Sequence, residues 1–354
     1  MGKRYILYVT DFYAYSILFP LEAEILRRGD DAAWFVEPQC SSEPVASHKL
    51  LPTTADALAY EPLAVFAPGN YIPDFFGGVK VSLFHGYPIN KRAERRDDHF
   101  SIRGWFDIYC TQGPSSTEPF RRIEATDGTF RVYETGWVKA DTYFSPAMLR
   151  REPNARPVVL YSSTFTRSLT STPILADTVE RAVATGRWDW IFMFHPKLTD
   201  PAILDRYAAI AAKYPNAEFL GNTFSADAMR RADAMLCDSS SIMTEFMFMD
   251  KPVVSFRNTA PSACLLDVTE PDKVIPALET ALSRPAALMD AIRRYTMYHE
   301  PHRDCRCSAR VLDAVDDFIA SGGRAALKKK PLNLVRKIKL RRRLHYPLFK
   351  NLFR

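Results

Sequence analysis

The chain has 354 residues, of which 47% are hydrophobic and 25% are charged, and its mean hydropathy is −0.19. This composition is close to the average of soluble globular proteins and argues against a disordered chain, while the length predicts two packed domains. No run reaches the roughly 18 uncharged apolar residues that a membrane-spanning helix needs.

The cysteines and the N-terminus predict a cytoplasmic protein. Six cysteines are scattered along the chain, which is typical of reduced thiols. The apolar run at residues 5–10 is too short for the core of a signal peptide. His299, His302, Cys305 and Cys307 lie within nine residues, but their spacing is not that of common structural zinc sites, so we predict no bound metal there.

The net charge of +6 is unevenly distributed. Residues 318–354 contain twelve Lys or Arg and no acidic residue, whereas residues 1–317 contain 35 basic and 41 acidic residues. The tail therefore carries +12 and the body −6. This division predicts an anionic partner for the tail.

Strand-like and helical stretches alternate along residues 1–317. The strand-like runs are RYILYVT, AAWFV, VKVSLFHGYP, RPVVLYSST, WDWIFMFHP, AEFLGN, ADAMLCDSSS and KPVVSF. Helical stretches such as ILFPLEAEILRRGD and PAILDRYAAIAAKY separate them. The alternation predicts parallel sheets covered by helices on both faces. We therefore predict two doubly wound α/β domains, residues 1–145 and 146–317, joined near 143–156 and followed by a tail at 318–354.

Polar residues follow the carboxyl ends of several predicted strands, where such sheets bind ligands. They are His85, Ser162 to Thr164, His195, and Asp238 to Ser241. We expect a ligand cleft between the two sheets. The sequence has neither the glycine fingerprint of a dinucleotide site nor a Walker loop, which argues against a nicotinamide enzyme and a P-loop kinase.

Asp238 and the serines Ser239, Ser240 and Ser241 precede the predicted helix SIMTEFMFM. Serines in the first turn of a helix favour an anion, because free backbone amides and the helix dipole are available there. Glu245, about one turn further in, could accept a hydrogen bond from a ribose hydroxyl. The competing interpretation is ordinary helix capping with a glutamate nearby.

Six short segments resemble the motifs of the CDP-glycerol glycerophosphotransferases, the teichoic-acid-type polymerases and primases. In the family's order they are FHGYPINK, ETGWVKADTYF, VVLYSSTFTR, FHP, ADAMLCDSSSIMTEFMFMDKPVVSF and DCRCSARVLD. The resemblance covers about residues 78–316. It implies a GT-B fold, in which two Rossmann-like domains face a nucleotide cleft, and the strand pattern independently predicts the same arrangement.

Four departures from the family's motifs are visible. Ser239 stands where the family has a tyrosine, and Met193 stands where it has an arginine. Arg167 lies one position later than the family's arginine, and Cys305 follows Asp304 where a glycine is expected. The residue at 193 implies one fewer cationic contact to phosphate.

The resemblance also implies roles for individual residues. His85 is assigned as general base, a role that suits an imidazole because its ordinary pKa lies near 6.5. His195 is assigned to stabilise the pyrophosphate or protonate the leaving group. The substrate-binding residues implied are Gly86, Thr164, Arg167, Lys197, Asp238, Ser239, Ser240, Ser241 and Glu245. The plainer interpretations are a backbone-bonded histidine, a polar loop and solvated charges. No cofactor is required, and assistance by Mg²⁺ stays open.

The tail sequence PLNLVRKIKLRRRLHYPLFKNLFR mixes apolar and basic residues. Its spacing can collect apolar side chains on one helical side, which is typical of a helix lying on a membrane. We expect residues 325–354 to bind the anionic inner-membrane surface as a peripheral anchor on its cytoplasmic side. A disordered basic tail is the alternative, and no nucleic-acid partner is predicted because no recognised module is present.

The expected function is transfer of glycerol phosphate, or a similar polyol phosphate, from a CDP-activated donor. The acceptor would be a lipid-linked or glycolipid hydroxyl in bacterial envelope biosynthesis, and CMP would be released. A GT-B glycosyltransferase that uses a nucleotide sugar is the first alternative, because the same fold serves both reactions. A non-catalytic membrane or nucleic-acid binding module is the second.

Overall fold

Two parallel six-stranded sheets form the centres of two structural units. The computed structural model describes residues 2–87, 98–144 and 154–350. Of these, residues 2–87, 98–142 and 299–350 form the first unit, and 143–144 and 154–298 form the second. Most of the predicted junction at 143–156 and the last four letters of FHGYPINK lie outside the described residues.

Strands and helices alternate along the described residues, as the sequence pattern predicted. The strands are β1 (Arg4–Val9), β2 (Asp31–Val36), β3 (Ala64–Ala67), β4 (Val79–Ser82), β5 (Ile108–Thr111), β6 (Arg131–Glu134), β7 (Val158–Tyr161), β8 (Asp189–Met193), β9 (Ala217–Gly221), β10 (Ala234–Cys237), β11 (Val253–Phe256) and β12 (Leu266–Val268). The helices are α1 (Ala14–Arg27), α2 (Thr54–Ala59), α3 (Pro114–Asp127), α4 (Thr172–Ala184), α5 (Pro201–Lys213), α6 (Ala226–Arg231), α7 (Ile242–Met247), α8 (Val274–Leu282), α9 (Ala286–His299), α10 (Cys307–Ala320) and α11 (Leu334–Arg343).

The strand order identifies both sheets as doubly wound. The first runs β2-β1-β3-β4-β5-β6 and the second β12-β11-β10-β7-β8-β9, with every pair parallel. This confirms the prediction of two Rossmann-like sheets. In such a sheet the order reverses between two neighbouring strands, and their following loops part to open a crevice. The reversal lies between β1 and β3 in the first sheet and between β7 and β10 in the second.

The central strands read as continuous apolar runs because both of their faces are covered. All four residues of β7 and of β10 are buried, and in β1 only Arg4 is exposed. At the reversal point of the first sheet the loops after β1 and β3 approach closely. A Cβ atom on Gly69 would lie 2.6 Å from Thr10 Oγ1, so only glycine fits there without movement.

The C-terminal part of the chain returns to the first unit. Helix α10 packs beside α1, with an ion pair of 2.8 Å between Arg28 and Asp313, and Lys3 pairs with Asp316 at 2.6 Å. Residues 299–317 therefore belong with the first sheet, whereas the sequence-based division assigned them to the second domain. The strand pattern could not show this, because a helix that follows the last strand can pack on either sheet.

The basic tail also docks on the first unit, which corrects the expectation of a separate amphipathic segment. Leu340 and Leu344 of the α11 region join the core of that unit. The Arg341 side chain is only 1% exposed and pairs with Asp74 at 2.5 Å, and its guanidinium lies 5.3 Å from the ring centre of Tyr346. Burial of these leucines and pairing of the guanidinium hold the helix against the protein.

In the described part of the segment 325–354, three large apolar side chains remain on the surface. Leu332 is 53% exposed, Val335 67% and Phe349 74%. The exposed cations Arg336, Lys339, Arg342, Arg343 and Lys350 belong to the same segment. No helix in the described part of the chain has the length and hydropathy to cross a bilayer.

We expect Arg341→Ala to lower the free energy of unfolding by about 3–5 kcal/mol, because it leaves Asp74, whose side chain is only 12% exposed, without its closest cation. The matched control is Arg342→Ala, which removes an exposed neighbouring arginine and should change stability by less than about 0.5 kcal/mol. Urea unfolding measures both. Equal stability of the two variants would contradict the docking of α11.

Candidate functional site

The loops after β7 and β10 meet at the reversal point of the second sheet, and a buried carboxylate joins them. Asp238 follows β10, and its side chain accepts hydrogen bonds from the backbone amides of Thr164 (2.8 Å) and Ser171 (3.0 Å). The hydroxyls of Ser163 and Ser171 also donate to it. Burial raises the pKa of Asp238 above its ordinary value, and these hydrogen bonds oppose the shift.

This geometry changes the interpretation of Asp238. Asp238 is among the residues predicted to contact substrate, but four donors from the chain already surround its carboxylate. It is therefore a residue that shapes the loop at 162–172. Thr164 is buried in that loop, and Arg167 stands exposed on it.

The three serines after Asp238 have different environments. The Ser239 hydroxyl accepts a hydrogen bond of 2.9 Å from the Thr259 amide, so it is used within the protein. The hydroxyls of Ser240 and Ser241 make no hydrogen bond within the described residues, and Ser241 does not cap α7 with its side chain. The capping interpretation therefore does not account for Ser240 and Ser241, which keep donors for a ligand.

Glu245 lies in the middle of α7 and is buried. The Tyr143 hydroxyl donates a hydrogen bond to one of its carboxylate oxygens, and burial raises the pKa of Tyr143. Tyr143 therefore uses part of the hydrogen-bonding capacity of Glu245, and the contact of Glu245 with a ribose hydroxyl stays a prediction.

His195 reaches the same edge of the second sheet from the loop after β8. Its amide donates to the carbonyl of Ser163 at 3.2 Å. The amide of Lys197 donates to His195 Nδ1 at 3.0 Å, so Nδ1 must be unprotonated. In the neutral ring the proton is consequently on Nε2, which makes Nε2 a hydrogen-bond donor.

Aromatic and cationic side chains surround this histidine. The Phe165 ring centre lies 4.5 Å from that of His195, and the Lys197 ammonium lies 5.7 Å from the Phe165 ring centre. Met193, where the resemblance implies an arginine, is buried, and its sulfur accepts from the Ser225 amide. Met193 thus supplies no cation, and Lys197 is the exposed cation of this loop.

In the first unit, His85 stands on a strained turn after β4. Phe84 has a φ of +56°, a left-handed conformation that is uncommon outside glycine and is often found at functional sites. This turn buries the Phe84 ring and leaves His85 partly exposed to solvent. The carbonyl of Pro68 lies 3.3 Å from His85 Nδ1. Since a carbonyl only accepts, Nδ1 carries the proton and Nε2 keeps a lone pair.

Side chains from distant parts of the first unit hold this turn. The indole of Trp137 donates to the Phe84 carbonyl at 3.3 Å, and the Gln112 amide donates to the Gly86 carbonyl at 2.8 Å. Gly86, predicted to contact substrate, thus has its carbonyl bound within the protein. Trp137 itself is packed in the protein, with 2% exposure.

Glu300, a buried glutamate that is not among the predicted site residues, completes this hydrogen-bond network. Glu300 accepts hydrogen bonds from the Tyr87 hydroxyl (2.6 Å) and from the Trp137 amide (2.9 Å). Burial raises the pKa of Glu300 to about 8. Nothing in the local sequence marks this residue, because its partners are 213 and 163 positions away.

His85 opens onto a cavity of about 260 Å³ within the first unit. The protein atoms around the ring lower its pKa below the ordinary 6.5 because they disfavour the charged form, while the Pro68 carbonyl and Asp11 oppose this shift. Other polar side chains lining the cavity are Asn70, Ser82, His99, Ser101, Arg103 and Tyr109.

Both cysteines of the cluster near residue 300 donate hydrogen bonds to backbone carbonyls. The thiol of Cys305 donates to the Asp141 carbonyl, and that of Cys307 donates to the His302 carbonyl. Within the described residues, no group of three or more His, Cys, Asp or Glu is arranged to hold a metal ion.

Comparison with known proteins shows the fold. No protein-family model matches the chain, and no curated protein matches it in sequence. A structure of the wall teichoic acid polymerase TagF is similar with a TM-score of 0.61 at 12% identity, over 91% of this chain and 90% of that chain. The S. aureus MnaA–UDP structure has a TM-score of 0.61 at 14% identity, over 93% of this chain and 99% of that chain.

A UDP-N-acetylglucosamine 2-epimerase is also similar, with a TM-score of 0.58 at 13% identity, over 94% of this chain and 99% of that chain. At such identities the likeness establishes the fold alone. With the two doubly wound sheets, it defines a GT-B fold of two Rossmann-like units, as predicted. The family resemblance is thus supported at the level of the fold.

We expect Glu300→Gln to flatten the pH dependence of stability. The folded-state pKa of about 8 lies above the ordinary 4.5, so the folded protein keeps a proton that the unfolded chain releases. The contribution of Glu300 to stability is therefore complete below pH 4.5 and is lost as the pH rises towards 8. Glutamine mimics the protonated form, and the variant should gain on the order of a few kcal/mol relative to wild type at pH 8.

Urea unfolding of both proteins at pH 5 and pH 8 measures this effect. Glu134→Gln, at a half-buried carboxylate of the same unit that contacts His302, is the matched control. An equal loss of stability between pH 5 and 8 in wild type and Glu300→Gln would show that Glu300 is already ionised in the folded protein.

Proposed function

We propose that the chain transfers glycerol phosphate, or a similar polyol phosphate, from a CDP-activated donor to a hydroxyl of a lipid-linked or glycolipid acceptor. CMP is the second product. The acceptor belongs to bacterial envelope biosynthesis, and the protein works as a peripheral enzyme on the cytoplasmic side of the inner membrane.

The observation that carries the proposal is the pair of opposite histidine tautomers. A backbone carbonyl faces Nδ1 of His85, whereas a backbone amide faces Nδ1 of His195. His85 Nε2 is consequently a proton acceptor, and His195 Nε2–H is a hydrogen-bond donor. A transfer to an acceptor hydroxyl is assisted by one group of each kind, a base for the hydroxyl proton and a hydrogen-bond donor for the charge that develops on the leaving phosphate.

The chemistry follows from these two roles. The acceptor oxygen forms a bond to the polyol-bearing phosphorus of the donor, and its proton passes to His85 Nε2. The bond between this phosphorus and the bridging oxygen breaks, and its electron pair stays on the departing CMP. His195 Nε2–H donates to the developing charge, while Ser240, Ser241 and Lys197 bind phosphate oxygens.

Similarity to TagF supports this choice of donor class. Structures of TagF include variants with a single histidine replaced, and one of them was soaked with CDPG. The six sequence motifs that resemble the CDP-glycerol glycerophosphotransferases contain both His85 and His195. The proposed reaction needs no cofactor, and parallel assays with Mg²⁺ and with EDTA measure any contribution of a metal ion.

The exposed part of the tail supports a location at the membrane. Leu332, Val335 and Phe349 project from a segment rich in exposed cations, and such a surface suits an anionic bilayer. Each cation near such a surface contributes on the order of 1 kcal/mol.

A glycosyltransferase that uses a nucleotide sugar is the second candidate. The MnaA–UDP structure and the epimerase are as similar to this chain as TagF is, which favours a UDP-sugar equally at the level of the fold. Incubation of the purified protein with a CDP-polyol, UDP-sugars or CMP-sugars separates the two. Release of CMP from the CDP-polyol supports our proposal, and UDP release from a sugar donor supports the alternative.

We expect asparagine and glutamine substitutions to distinguish the two histidine roles. Neither amide can accept a proton, so His85→Asn and His85→Gln should both lower kcat at least about a hundredfold. At position 195, the side-chain amide of glutamine can place an N–H close to the position of His195 Nε2. The shorter asparagine side chain reaches only the position of Nδ1, where its oxygen can accept a hydrogen bond. His195→Gln should therefore retain about tenfold more activity than His195→Asn.

Initial rates of CMP release measure these effects, and circular dichroism verifies folding. His345→Asn is the matched control, because His345 is exposed and its φ of +53° is tolerated by asparagine. Wild-type rates in the His85 variants, or equal rates in the two His195 variants, would refute the assigned roles.

The lowered pKa of His85 predicts the pH profile. The base acts when neutral, so kcat/KM should rise with pH and reach its plateau through a midpoint below 6.5. Asp11→Asn removes a negative charge that raises the His85 pKa, so it should move the midpoint to still lower pH. A midpoint above 6.5, or no movement in Asp11→Asn, would contradict His85 as the base.

A further inference from the structure

A second cavity of the first unit is lined by cations and has no role in the proposed reaction so far. Its volume is about 350 Å³, and helix α11 forms one wall of it. The lining residues are Asn70, Tyr71, Arg103, Trp105, Arg336, Lys339, Leu340 and Arg343. Four of these eight are basic and none is acidic, so the lining favours an anion.

The cations differ in how far the protein already neutralises them. Arg343 pairs with Glu37 at 3.1 Å and donates to the Tyr71 hydroxyl at 2.6 Å. Within the described residues, Arg336 and Lys339 have no acidic partner. They lie three positions apart on α11, so their side chains share one side of the helix. These two cations are therefore available to an anionic ligand.

This cavity adjoins the cavity of His85. Asn70 and Arg103 line both of them, and Arg103 donates to the Asn70 side chain at 2.8 Å. An anionic group bound in the second cavity would therefore lie beside the cavity onto which His85 opens, and both cavities belong to one unit.

We propose that the basic cavity binds the phosphate or diphosphate group of the acceptor and so holds the acceptor hydroxyl near His85. This inference rests on the proposed function and names the acceptor as a phosphate-bearing, lipid-linked compound. Arginine and lysine side chains suit phosphate oxygens, and the Trp105 and Tyr71 rings at the cavity suit the first carbons of a lipid chain. The exposed Leu332 and Val335 lie at the start of the same helix.

Binding of farnesyl diphosphate, a soluble probe with both features, tests the inference without any donor present. Calorimetry should show at least about tenfold weaker binding to the double variant Arg336→Ala/Lys339→Ala, because two charged contacts are lost. Arg342→Ala is the matched control, since it removes an exposed cation of α11 outside the cavity, and its affinity should equal that of wild type. Equal affinity of the double variant and wild type would overturn the inference.

Two further arms identify the source of the phosphate. Inorganic pyrophosphate should bind more weakly than farnesyl diphosphate, and equal affinity would assign the cavity to a free phosphate compound and overturn the lipid-linked acceptor. Sedimentation with phosphatidylglycerol vesicles measures general attraction to a membrane. If the double variant lost vesicle binding but kept farnesyl diphosphate binding, the cavity would serve lipid headgroups, which also overturns the inference.

The outcome is separable from the proposed function. Failure to release CMP from any CDP-polyol would remove the proposed reaction but leave the binding result intact. Where turnover occurs, the double variant should raise the KM of a phosphate-bearing acceptor at least about tenfold, with kcat and the KM of the donor unchanged. A lowered kcat with an unchanged acceptor KM would count against the inference.

Discussion

The buried carboxylate of Asp238 is the constraint on which the candidate site of the second unit depends. A carboxylate at the reversal point of a sheet is costly to desolvate, and four donors from the chain offset this cost. These donors belong to the loop after β7, whereas Asp238 belongs to the loop after β10. The Asp238 side chain therefore joins two loops that diverge at the reversal point of the sheet. Ser240, Ser241 and His195 obtain their positions from this framework, and the ligand-binding capacity lies with them rather than with Asp238.

In the first unit, hydrogen bonds from distant residues hold the strained turn that carries His85. The left-handed backbone at Phe84 is held by hydrogen bonds from Trp137 and Gln112, and Glu300 in turn holds Trp137. Such a network compensates strain that a free loop would relax. In both units the backbone, rather than an acidic side chain, decides which nitrogen of the histidine carries the proton, so the two tautomers follow from the fold.

Acidic residues of the first unit neutralise part of the positive charge of the tail. The tail carries +12 and the body −6, and Asp74, Glu37 and Asp107 of the first unit pair with cations of the tail. Arg341 and Arg336 belong to the same helix, yet one is buried against Asp74 and the other has no acidic partner in the part of the chain that the structure describes. The charge that remains for an external partner is therefore smaller than the sequence total.

Local pattern was sufficient to predict the two doubly wound sheets, since buried parallel strands read as apolar runs and their polar ends mark the ligand edge. It also placed His85, His195 and the serines at such ends. It did not show that Asp238 faces loop amides 74 positions away, that Glu300 supports Trp137 across 163 positions, or that α11 docks on the first unit. Those contacts depend on the strand order and on which sheet a helix covers. Contacts between residues so far apart in the chain produce no periodic pattern in the local sequence.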